Sequence, residues 1–159
     1  MKADEKKYFP MFVDLTQKKV TVIGAGNIAK RRIETLLSFA GTIEVIAPDA
    51  CEKIKELAKE GRLVWKEKEY DREDLYDADL VLSATNNEKV NNDVYSACKC
   101  LGISVNTASN RMKCDFYFPS ILQKEETVIG LNSAGNPAKT KNVRKEIQKW
   151  IEEAGEKHE

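Results

Sequence analysis

Gly24, Gly26 and Ala29 stand at the spacing G-x-G-x-x-A within residues 20–29, V-T-V-I-G-A-G-N-I-A. Such residues break no bonds; their use is to bring a backbone close to a phosphate. Gly24 permits a tight turn, Gly26 lets the chain approach a pyrophosphate, and Ala29 lets a helix pack close to a strand. The N–H groups at the helix start, with their partial positive charge, would receive the anion. The flanks supply the elements that such a turn requires. Val20, Val22 and Ile23 form a short apolar run, and Ile28, Ala29, Ile33, Leu36, Leu37 and Ala40 recur at three- and four-residue intervals. Strand, glycine turn and helix together predict a dinucleotide site. The same pattern also suits a tight strand-to-helix turn without a ligand.

The elements that would position this turn follow in order. Ile43, Val45, Ile46 and Ala47 read as a second strand, followed by Pro48 and Asp49. An acid in this place often meets the adenosine ribose. Asp49 equally suits an N-cap, with Glu52 completing a capping box, and both readings stay open. No arginine stands beside Asp49 to read a 2′-phosphate, which favours NAD over NADP. Ile54, Leu57 and Ala58 face the next helix inward, and Gly61 reads as its C′ residue. Leu63, Val64 and Trp65 suggest a third strand, with residues 66–74 as solvated surface. Residues 80–84, L-V-L-S-A, read as a buried strand. Thr85, Asn86 and Asn87 then either face a cofactor or cap the helix carrying Val90, Val94, Ala97, Cys98 and Leu101. Gly102 ends that helix, and Ile103, Val105 and Asn106 give a fifth strand. Alternating strands and helices imply an α/β, Rossmann-type parallel sheet with right-handed crossovers.

That domain is expected over residues 1–113, and residues 114–159 change character. Residues 116–119 and 127–131 read as two strands around a polar turn at 124–126. Asn136 and Pro137 read as N-cap and N1 of a last helix carrying Val143, Ile147, Trp150 and Ile151. Two strands and one helix are too little for an independent domain. The tail is expected to be a short α+β dimerisation segment, and Trp150 with the aromatic stretch makes a symmetric homodimer the expectation.

Composition narrows the function. Lysine plus arginine equals aspartate plus glutamate at 26 each, giving zero net charge, which argues against nucleic acid as the main partner. No apolar run approaches the roughly 20 residues that span a membrane. The charged start lacks the apolar core of a signal peptide, so the expected location is cytoplasmic. The four cysteines, Cys51, Cys98, Cys100 and Cys114, have no nearby histidine, the single one being His158. They read as small, partly buried hydrophobes, and no metal site is expected.

Several segments together carry a resemblance. They are Y-F-P-M-F-V-D-L at 8–15, V-I-G-A-G-N-I-A-K-R-R at 22–32, V-I-A-P at 45–48, S-A-T-N-N at 83–87, V-N at 105–106, C-D-F-Y-F-P-S-I at 114–121 and N-S-A-G at 132–135. In this order and spacing the chain resembles the bifunctional precorrin-2 dehydrogenase and sirohydrochlorin ferrochelatase family, also found as the N-terminal part of siroheme synthase. The glycine turn is shared by many dehydrogenases; the C-D-F-Y-F-P block after V-N is more specific. The resemblance implies NAD-dependent oxidation of precorrin-2, a tetrapyrrole, to sirohydrochlorin, and an intertwined homodimer. It places cofactor contacts on Asn27, Ile28, Pro48 and Asp49, with Ala84 and Thr85 on the nicotinamide side. Precorrin-2 bears many carboxylates, so Arg111 and Lys113 are candidate substrate contacts, with Lys139, Lys141 and Arg144 further cations. Asn106 and Ser133 join them as candidate substrate contacts.

The chain departs from the family at two places. Where the family carries an aspartate implicated in both activities, this chain has Ser109. A serine hydroxyl cannot act as a carboxylate base near neutral pH. Dehydrogenation is therefore expected with ferrochelatase activity weak or absent, and a separate chelatase would then insert the metal. The nearest downstream acid is Asp115, the second candidate for a catalytic role. The family's S-G-G-x-S-P is also shortened, to Ser133-Ala134-Gly135-Asn136-Pro137, and a single helix follows. Two other readings are a nucleotide-sensing regulatory module and a non-catalytic tetrapyrrole-binding protein.

Overall fold

A computed structural model describes residues 8–155; residues 1–7 and His158, used above, lie outside that span. The chain divides into two compact units. One spans Met11–Phe116, and the other joins the described parts of Met1–Pro10 and Tyr117–Glu159.

The first unit is built on strands β1 (Lys19–Ile23), β2 (Thr42–Ala47), β3 (Val64–Glu67), β4 (Leu80–Ser83) and β5 (Ser104–Thr107). Their order across the sheet is β3-β2-β1-β4-β5, and every pairing is parallel. Central parallel strands are covered on both faces, so they carry unbroken apolar runs. Val20, Val22, Val45, Val81 and Leu82 are fully buried. Helices α1 (Asn27–Leu36), α2 (Glu52–Lys59) and α3 (Glu88–Leu101) make the crossovers. Each buries its apolar stripe through residues such as Ile33, Leu57 and Val94. Winding reverses at β1, which lies between β2 and β4. A crevice therefore opens where the carboxyl ends of β1 and β4 diverge into their helices.

The α/β sheet expected from the sequence is present, and three local expectations are corrected. Asp49 does not cap α2. The N-cap is Cys51, with no side-chain cap, because the Asp49 carboxylate accepts from its neighbour's N–H, Ala50, at 2.8 Å and pairs with Lys55. Residues 66–74 are not all solvated surface. β3 runs to Glu67, and the Asp74 carboxylate is buried where it accepts from the Asp71 N–H and pairs with Lys68 at 2.8 Å. Residues 116–119 are not a strand. The Asn106 side-chain amide takes up the Phe116 carbonyl at 2.7 Å, Pro119 has no N–H to give a ladder, and pairing begins at Ser120.

In the second unit β6 (Ser120–Lys124) and β7 (Thr127–Leu131) form an antiparallel hairpin. Its turn places Glu125 at φ +52°. Helix α4 (Pro137–Gly155) follows, with Asn136 as its N-cap accepting from the Lys139 N–H at 3.1 Å. The Tyr8 and Tyr117 rings meet with centroids 3.9 Å apart. Trp150 is 68 % exposed.

Candidate functional site

The glycine turn joins β1 to α1 at the switch point of the sheet. Gly24 has φ +102°, and a Cβ there would lie 2.6 Å from the Ala84 carbonyl oxygen. Only glycine lets the end of β1 meet the end of β4 in this way. Gly26 is different: it has an ordinary extended conformation, and nothing lies within 4 Å of a Cβ built on it. It faces open space at the head of α1. No side chain caps that helix, and no acid stands in its first turn. The N–H groups of Asn27, Ile28 and Ala29 have no intrahelical acceptor. A close-packed glycine, an open one and an uncapped helix start fit the pyrophosphate of a dinucleotide.

Beside this turn lies a cavity of about 430 Å³. Its walls include Ile28 from α1, Ala84 and Thr85 after β4, Glu88 and Asn92 from α3, and Ser109 after β5. The fold thus brings together five residues singled out from sequence, namely Ile28, Ala84, Thr85, Asn86 and Ser109. Thr85 offers this space little polarity. Its hydroxyl accepts from the Asn87 N–H at 3.1 Å and is spent on Asn91 and the Asn87 carbonyl, while both its backbone groups bond Asn91. A ligand would meet Thr85 chiefly through its methyl group.

Pro48 and Asp49 are exposed after β2. The hydrogen bond from Lys55, at 3.1 Å, holds the Asp49 carboxyl below its usual range. The Lys55 ammonium also lies 5.9 Å from the Trp65 ring centroid.

Other residues named from sequence lie elsewhere. Asn106 is buried, its amide shared between Arg32 at 2.6 Å and the Phe116 carbonyl. Burial lowers the Arg32 guanidinium from its usual value. Asp115 accepts from the Val105 N–H at 2.9 Å and pairs with Lys99, and it does not line the cavity. The Lys113 ammonium donates to the Asn92 side-chain carbonyl and sits 5.8 Å from the Tyr95 ring centroid. Arg111 is exposed in a short turn, Arg111–Lys113. Ser133 belongs to the second unit, where its N–H donates to Thr140 Oγ1 at 3.2 Å. Cys98 and Cys114 are buried, and burial pushes the Cys98 thiol up to about 11, leaving it a protonated hydrophobe. No helix among the described residues is long and apolar enough to cross a membrane.

Sequence reasoning passed over Glu88 and Asn91. Glu88 is the single carboxylate among the cavity-lining residues. Asn91 ties three segments of the wall together. The signal for it was the repeat N-N-E-K-V-N-N over residues 86–92, which places Asn91 one helical turn beyond the cap Asn87.

A family model described as "Putative NAD(P)-binding" matches residues 11–120. Siroheme synthase of Pseudoalteromonas atlantica is 35 % identical over 146 residues, covering 91 % of this chain and 32 % of that protein. The "Probable multifunctional siroheme biosynthesis protein HemA" of Ruminiclostridium josui is 38 % identical over 143 residues, covering 89 % of this chain and 28 % of that one. This chain therefore spans about a third of the length of the curated relatives it matches. The solved structure of SirC, a precorrin-2 dehydrogenase, superposes with a TM-score of 0.72 at 26 % identity, covering 89 % of this chain and 70 % of that chain.

Proposed function

This chain belongs to that NAD(P)-binding family, and on that premise we propose that it oxidises precorrin-2 to sirohydrochlorin with NAD, in siroheme biosynthesis. The observation that carries the reading is the meeting of the open glycine turn with a cavity walled by the ends of β4 and β5. The relatives' names and the likeness to SirC supply the substrate.

Gly24, Gly26, Asn27, Ile28 and Ala29 would hold the pyrophosphate, with Pro48 and Asp49 toward the adenosine. Ala84 and Thr85 would border the nicotinamide. When bound, the nicotinamide would supply the hydride acceptor for the oxidation. The chain's own part is to hold the macrocycle in the cavity at reacting distance and to let a proton leave. Glu88, which lines that cavity, would receive that proton. At the position where the family carries the aspartate implicated in metal insertion, this chain offers only the Ser109 hydroxyl, too weak a base to serve. Iron is then inserted by a separate chelatase. The exposed Trp150 and the small hairpin of the second unit support a homodimer, since a two-stranded sheet is marginal by itself. Light scattering at micromolar concentration tests that state.

The test of activity is incubation of the purified protein with precorrin-2 and NAD, read by NADH absorbance, then repeated with ferrous iron. Sirohydrochlorin and NADH should form together, and iron should not be inserted. NAD binding without turnover would instead make the protein a nucleotide sensor. Macrocycle binding without NADH would make it a tetrapyrrole carrier.

A further inference from the structure

Asn91 is 1 % exposed, in α3, and its side chain makes five hydrogen bonds. Its Oδ1 accepts from Ser83 Oγ at 2.8 Å, Thr85 Oγ1 at 2.8 Å and the Thr85 N–H at 3.3 Å. Its Nδ2 donates to the Thr85 carbonyl at 3.0 Å and to Ser109 Oγ at 3.2 Å. A backbone N–H can only donate and a carbonyl can only accept. The two Thr85 backbone groups therefore fix which end of the amide is nitrogen. Ser109 must accept from it, and its own hydroxyl hydrogen has to point elsewhere. That hydrogen meets no acceptor among the described residues, and Ser109 lines the cavity.

Two neighbours on the same wall show the same bias. Asn110 Oδ1 is occupied by the Met112 N–H at 2.9 Å. Asn92 Oδ1 is occupied by the Lys113 ammonium, which also brings positive charge to this wall. Each amide keeps its Nδ2 hydrogens to give. Ser109, Asn110 and Asn92 thus each have one acceptor site already engaged and a donor to spare. Charge-assisted hydrogen bonds from such groups suit a carboxylate.

We propose that Ser109, Asn110 and Asn92 form a donor subsite for a ligand carboxylate, and that Asn91 is the positioning residue that turns the Ser109 hydroxyl toward it. Position 109 is then a recognition residue. That the carboxylate is a precorrin-2 side chain rests on the function proposed above; the subsite itself does not.

Two measurements on the full chain test this separately. In the first, ¹⁵N-labelled protein is titrated with sodium propionate against sodium chloride at matched ionic strength. Saturable shifts are expected at the Ser109 and Asn110 amides and at the Asn92 side chain. They should be lost in Ser109→Ala and kept in Ser109→Thr. No saturable shift at these groups overturns the subsite. In the second, sirohydrochlorin is titrated by absorbance. Ser109→Ala should raise its Kd about tenfold, Ser109→Asp at least as much, and Ser109→Thr less than about twofold. Asn91→Asp puts a second acceptor against Ser109 and should reproduce the alanine result; adding Ser109→Ala to it should weaken binding no further. Ser109 is exposed, so its variants read out binding without disturbing the core. Equal sirohydrochlorin affinity in wild type and Ser109→Ala, with the propionate shifts present, keeps the subsite and overturns its assignment to a tetrapyrrole carboxylate. A wild-type protein that shows the propionate shifts but binds no sirohydrochlorin keeps the carboxylate subsite and removes the precorrin-2 reading.

Discussion

Gly24 and Gly26 stand two residues apart, and alanine at each should fail in a different way. At Gly24 the backbone has φ +102°, and the new Cβ would sit 2.6 Å from the Ala84 oxygen and 2.8 Å from its carbon. The dihedral strain costs about 1–3 kcal/mol. Relieving the clash by moving β1 from β4 costs about 1–3 kcal/mol more, as overpacking does elsewhere. Gly24→Ala should therefore lose about 2–6 kcal/mol, against a total of about 5–15 kcal/mol for a domain. Gly26 has φ −86°, and its Cβ would meet nothing within 4 Å. Gly26→Ala should stay within about 1 kcal/mol of wild-type stability, the less flexible unfolded chain offsetting alanine's poorer fit as the N-cap of α1. Its methyl group would fill the space that the pyrophosphate needs, and NAD affinity should fall at least about tenfold. Urea unfolding and NAD calorimetry on both variants decide the matter. A Gly26→Ala protein that binds NAD as wild type does, or a Gly24→Ala protein of unchanged stability, refutes the reasoning.

Asn87 caps α3 by accepting from the Lys89 and Val90 N–H groups at 3.0 and 3.3 Å. Asn87→Ala should cost about 1 kcal/mol in urea unfolding. Asp77 is held below its usual pKa by Lys19, and Asp93 by Arg72. A carboxylate depressed in the folded state adds stability above its unfolded value, near 4, and loses it as pH falls through the folded value. The urea midpoint should therefore drop below about pH 4, and less steeply in 1 M salt because Asp77 is exposed and Asp93 is more than a third exposed; a flat acid limb in dilute buffer would count against these pairs. Glu88→Gln should lower kcat for precorrin-2 oxidation at least about tenfold, with NAD affinity within about twofold of wild type, and an unchanged kcat would move the proton elsewhere.

Features decided within a few residues were legible in the sequence. The turn at Gly24 and the cap at Asn136 depend on local conformation, and both lie where the pattern put them. Features decided by distant partners were not. Asp49 looks like a cap until Lys55 and the adjacent N–H take its carboxylate. Residues 116–119 look like a strand until the Asn106 amide claims the Phe116 carbonyl. Asn91 has a polar type that reads as solvated helix surface. It is buried because Ser83, Thr85 and Ser109 converge on it, the last from 18 residues away. Helical periodicity finds the face that Asn91 occupies but cannot show what waits opposite.

The placement of β1 between β2 and β4 has a consequence for the order of assembly. Lys19 bonds Asp79 across 60 residues of chain, and β1 pairs with β4 from Val20 opposite Leu80 onward. Closing so long a loop carries an entropic cost that short-range contacts do not. The unit from β1 to β3 can condense early, whereas the close approach of Gly24 to Ala84 arises only when β4 docks. The phosphate turn is therefore a late product of folding. If the glycine turn holds the dinucleotide as proposed, a nascent chain would gain nucleotide affinity only after residue 84 has emerged, and the bound dinucleotide would favour finished molecules over partly folded ones.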